Sequence, residues 1–145
     1  IWPASVAPFE VAVVVVSSKD EEQMRIGSEL YEALKKEGID DPVLFEAIKA
    51  HNPKCGKKAK TKIEYALLAA DPMSGFVKAV AQIYPDKKIA SVKHKSVMKR
   101  FNEMRFAAGA NRDYMEAIEF TGLSLDDLID VALEEMGAIA DTLGL

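Results

Sequence analysis

Cysteine is nearly missing from the 145 residues: Cys55 stands alone, so no internal disulfide and no CxxC metal knuckle can form in one chain. Histidine is almost as scarce. With only His51 and His94, a histidine-rich metal centre cannot be assembled within one copy. No apolar run approaches the roughly 18 residues that span a bilayer. The longest, Val11 to Val16, is also too short for the core of a signal peptide, so the expected location is the cytoplasm. Neither GxxxxGK[ST] nor GxGxxG occurs, which removes the usual nucleotide-phosphate loops. Internal repeats and low-complexity linkers are lacking too.

What is present describes one ordinary domain, at 49% hydrophobic and 29% charged residues. The net charge of -4 conceals an uneven distribution. Residues 1–40 carry 4 basic and 8 acidic side chains, residues 41–100 carry 13 and 5, and residues 101–145 carry 2 and 10. A basic middle suits phosphate or nucleic acid, or an acidic tail folded against it. The lysines are not interleaved with aromatic stacking residues, so nucleic-acid binding is expected to be weak and non-specific.

Val11 to Val16 is a β-branched run without polar alternation, the pattern of a strand buried on both faces. Ser18 to Glu21 then forms a capping box, opening a helix that ends at Gly38. Everything further reads as helix. Asp41-Pro42 opens one through about Ala50, and another runs from about Thr61 to Ala70 with Ile63, Ala66, Leu67 and Ala70 inward. Asp71-Pro72 repeats the cap-then-proline device and predicts a separate helix ending near Tyr84-Pro85. Others are expected over Ser91–Met104, with Val97, Met98 and Phe101 inward, and over Asn111–Phe120, closed by Gly122. Ser124 caps the last, whose apolar stripe is Leu125, Leu128, Ile129, Ala132, Met136, Ile139 and Leu143. The expected fold is therefore mostly α, a helical bundle with one N-terminal strand. That strand has no partner in the chain, so pairing with a second copy through Val11–Val16 is expected, giving a homo-oligomer.

Two resemblances meet in this sequence. Ile1-Trp2-Pro3, Ala7-Pro8-Phe9, Val11–Val16, Lys19-Asp20-Glu21-Glu22 and Glu29-Leu30-Tyr31-Glu32-Ala33-Leu34 resemble the start of the anticodon-binding domain of prolyl-tRNA synthetases. From about Met24 the chain is similar to phosphohydrolases of the HD superfamily. The residues are Glu46-Ala47-Ile48-Lys49-Ala50-His51-Asn52, Tyr65 to Asp71, Lys95 to Phe101, and Ala108-Gly109-Ala110-Asn111-Arg112. That likeness implies a helical domain truncated at its start, with the overlap on residues 24–38 and apolar bundle surface exposed by the truncation.

The HD resemblance also implies metal ligands ordered His, His-Asp, Asp, and no His-Asp pair occurs in this chain. Asp71 matches the last ligand and His51 an accessory histidine. Each has a second reading, Asp71 as a helix N-cap and His51 as a buried or capping histidine. A single carboxylate and imidazole hold a divalent ion weakly at best, so no cofactor and no catalysis are expected, with a weakly bound divalent metal as the alternative. Lys54, Lys57, Lys58 and Lys60 are the candidate phosphate contacts, or a solvated charge run. The whole reads as a chimera, engineered or recombined, carrying parts of two parents, with a degenerate HD-type metal-dependent phosphohydrolase and a weak RNA-binding module as the alternatives.

Overall fold

The computed structural model describes residues 42–51 and 56–145. The strand expected at Val11–Val16, its helix to Gly38, Lys54 and Cys55 lie outside the described residues. Those that are described form helices, turns and irregular segments, with no strand among them.

Helix α1 spans Pro42–His51 and α2 spans Lys62–Gln82. A short 3-10 turn at Ile89–Ser91 leads into α3, His94–Phe101. Helix α4, Arg112–Glu116, passes into a second 3-10 turn at Ala117–Thr121 that ends at Gly122 with φ 96°. There a side chain would be strained, which is why glycine closes the turn. Helix α5, Leu125–Ala138, and the single turn α6, Ala140–Leu143, complete the chain.

Helix α2 is the axle. It packs against α1, α3, α4, α5 and both 3-10 turns. Ala69, Met73, Phe76, Val77 and Val80 recur at helical spacing, and all are fully buried. Around them close Ile89, Val97, Phe101, Met115, Ile118, Leu128 and Ile129. Burying a large apolar side chain contributes about 1.5–3 kcal/mol, so this stripe outweighs local propensity.

That weighting corrects the reading of Asp71-Pro72. No helix begins there: Pro72 lies inside α2, and Asp71 is an exposed mid-helix residue rather than an N-cap. An interior proline removes one backbone hydrogen bond and crowds the preceding turn, at about 3 kcal/mol. The apolar stripe runs unbroken through it and holds the helix together. The expected inward set of the first half also shifts. Ile63, Ala66, Leu67 and Ala70 are only half-buried, while Glu64 and Ala69 point in.

Arg112 fixes the loop before α4. Its Nη1 donates to the carbonyls of Ala107 and Ala110 at 2.7 Å each, and its Nη2 donates to that of Phe106. The guanidinium lies 4.6 Å from the centre of the Phe76 ring, so a buried charge is held by carbonyls and an aromatic face. Asn111 accepts from the Tyr114 N–H as the N-cap of α4, and Ser124 with Asp127 forms a capping box on α5. The expected final helix is interrupted at Ile139, whose φ of -117° and ψ of 22° break the ladder.

Candidate functional site

The lysine-rich stretch Lys57–Lys62 connects α1 to α2, and its geometry begins with a cap. Thr61 has extended backbone and accepts from the Glu64 N–H, while the Glu64 carboxylate accepts from the N–H groups of Thr61 and Lys60 at 2.8 and 2.7 Å. The capping box therefore turns Glu64 inward, and its side chain is 5% exposed. A buried carboxylate needs a cation, and Lys57 supplies it: Nζ lies 2.7 Å from Glu64 Oε1 and 2.6 Å from Glu46 Oε2 on α1. The Lys57 ammonium and the two backbone N–H groups hold the Glu64 carboxyl down at about 2, against the desolvation that would raise it. The hydrogen bonds that Lys57 donates to Glu46, then to Glu64, push it above its ordinary value.

Lys57 is thus a joint between helices, with its charge spent on two carboxylates. Lys58, Lys60 and Lys62 are exposed and form no ion pair among the described residues. These three retain the charge that a phosphate could meet, and Lys54 lies outside the described residues.

His51 ends α1 and is 7% exposed. Its Nδ1 lies 2.6 Å from the Ile48 carbonyl, an arrangement in which the ring N–H donates to the helix end. Asp71 faces solvent, and its backbone carbonyl accepts from the Ser74 hydroxyl at 2.8 Å. No hydrogen bond or ion pair joins Asp71 to His51. Among the described residues, no three His, Cys, Asp or Glu side chains gather closely enough to hold a metal ion.

The structure also brings together a charged group that carried no motif in the sequence. His94, at the start of α3, has Nδ1 2.6 Å from Asp130 Oδ1 and Nε2 2.7 Å from Asp126 Oδ1. Two carboxylate acceptors require both ring nitrogens to donate, so the imidazolium is the form that fits. The Asp130 hydrogen bond raises His94 above its ordinary 6.5, partial burial opposes it, and Asp126 adds to the rise. The i, i+4 spacing of Asp126 and Asp130 on one helix was the available signal.

Comparison with known proteins adds one local likeness. A 40-residue stretch is 58% identical to the proline–tRNA ligase of a Nitratiruptor species. It is 55% identical to that of Caldicellulosiruptor saccharolyticus and 50% to that of Desulforamulus reducens. In each case the stretch is 28% of this chain and 7% of the ligase. No family model matches the chain, and no solved structure matches it. Among the described residues, no helix is long and apolar enough to cross a membrane.

Proposed function

We propose that the chain is a non-catalytic, recombined protein that makes weak, sequence-independent contact with RNA phosphates. The observation that carries this reading is the 40-residue likeness to proline–tRNA ligases. In the helical body, Lys58, Lys60 and Lys62 support it as exposed cations without carboxylate partners among the described residues. Contact through a few lysines is mostly counterion release, so affinity should fall steeply with salt. Transfer RNA titrated at about 50 and then 200 mM salt is the test. Binding that weakens at least tenfold, and weakens further in the triple variant K58A/K60A/K62A, supports the reading. Absence of binding at the lower salt overturns it.

The remaining parts of the reading follow from the sequence. On the resemblances alone, the helical body is read as a truncated HD-type domain that overlaps the synthetase-like segment on residues 24–38. Copies of the chain associate through Val11–Val16 and the bundle surface. Hydrolysis of phosphomonoesters is not expected, because catalytic zinc sites supply three or more protein ligands and only Asp71 and His51 match HD positions. Manganese-dependent turnover that disappears in Asp71→Ala would contradict this.

A further inference from the structure

Where α2 ends against α3, a groove of about 290 Å³ opens, lined by Ile83, Tyr84 and Pro85 on one side and Ser96, Lys99 and Arg100 on the other. No carboxylate lines it, although the chain carries 23 acidic residues against 19 basic ones. Its two sides differ in chemistry. Tyr84 donates its hydroxyl to Ser96 Oγ at 2.6 Å, which leaves the Ser96 proton for another acceptor. Arg100 is oriented by Glu103, through Nη1 at 2.5 Å, and by the Phe106 ring at 5.4 Å, and keeps its other N–H groups. Lys99 is exposed and has no ion pair among the described residues. This wall therefore carries a hydroxyl, the unpaired ammonium of Lys99 and a guanidinium partly engaged by Glu103. The facing side carries the apolar side chain of Ile83, 49% exposed, with Tyr84 and Pro85. Lys87, Lys88 and Lys95 are exposed and near in sequence, with the carboxylate of Asp86 among them.

We infer that this groove binds one nucleotide, its phosphate on Ser96, Lys99 and Arg100 and its base against Ile83, Tyr84 and Pro85. Charge-assisted donors favour a phosphate oxygen, and an aromatic ring with apolar neighbours accepts any base without reading it. The inference deepens the proposed RNA contact and rests on it for the source of the nucleotide: a single-stranded RNA rather than a free monomer. Its volume lies just under the usual range of small-molecule pockets, so it leaves room for no more than one nucleotide.

The test is amide-resolved NMR of the full chain titrated with inorganic phosphate, with AMP, and with an eight-nucleotide single-stranded RNA. Shifts at Ile83, Tyr84, Ser96 and Lys99 with both AMP and RNA are expected, with RNA affinity about tenfold lower in Lys99→Glu. Lys99 is solvent-facing, so that variant folds. RNA shifts confined to 58–62, or equal shifts with phosphate and AMP, overturn the groove and leave the RNA reading standing. AMP shifts at the groove with no RNA binding keep the groove and overturn the RNA reading. Silence from all three overturns both.

Discussion

Two junctions in this protein share one design: a single cation held between two carboxylates, tying a helix to its neighbour. At the first, Lys57 joins Glu46 of α1 to Glu64 of α2. At the second, His94 of α3 meets Asp126 and Asp130 of α5. Their surroundings separate them. The Glu64 side chain is 5% exposed, whereas those of Asp126 and Asp130 are 64% and 69% exposed. A lysine stays charged across the physiological range, and a histidine titrates within it. Similar geometry thus yields a fixed joint in one place and a pH-dependent, salt-screened clasp in the other. Lys58, Lys60 and Lys99 differ from both, since no carboxylate among the described residues pairs with them.

The largest expected effect comes from breaking the buried member. Glu64→Ala removes half of a capping box and leaves Lys57 with Glu46 alone. Loss of a cap and of a buried charged partner should cost about 2–3 kcal/mol, read as a lower urea midpoint. Lys57→Met should cost less, because Glu64 keeps the N–H groups of Lys60 and Thr61. Equal costs for the two variants would mean that the ion pair, rather than the cap, holds the junction.

Acid should sharpen the same contrast without mutation. The Glu64 carboxyl sits at about 2 in the folded protein, below its ordinary 4.5. A depressed carboxyl contributes stability that is present above 4.5 and lost as pH falls towards 2. Urea midpoints between pH 5 and 2 should therefore drop in the parent protein and drop less in Glu64→Ala. Parallel curves would show that other carboxylates govern the acid limb.

How much of this was legible depended on whether the signal was local. Ser124, Asn111 and Gly122 were readable as helix boundaries, because a cap is a contact between residues a few positions apart. Val97 and Phe101 were readable as core from helical period alone. Asp71-Pro72 misled for the same reason: it is a strong local stop signal, overruled by the buried stripe from Ala69 to Val80. The site was harder. Lys57 belongs to a run of lysines, and only the fold reveals that Glu46 and Glu64, 11 positions before and 7 after, converge on it. His94 lies 32 and 36 positions from its two partners, a separation that no local pattern spans. The groove at Tyr84 and Ser96 joins elements 12 positions apart across an irregular segment and gave no motif.

The smallest expected effect belongs to the exposed clasp, and its direction is the informative part. His94 is raised above 6.5, chiefly by Asp130. A histidine raised on folding contributes stability that is fully present below 6.5 and disappears as pH climbs through the raised value. Partial burial opposes the charged imidazolium, and the two aspartates outweigh it. Exposed pairs of this kind contribute about 0.5–1 kcal/mol, screened by salt. His94→Asn should therefore lower stability by that amount at pH 5.5 in dilute buffer and by little at pH 9. Added salt should shrink the difference at pH 5.5 much more than it shrinks the cost of Glu64→Ala. An effect of His94→Asn that is equal at both pH values would mean that the imidazole acts by packing, and the contrast between the two junctions would fail on the side of the histidine.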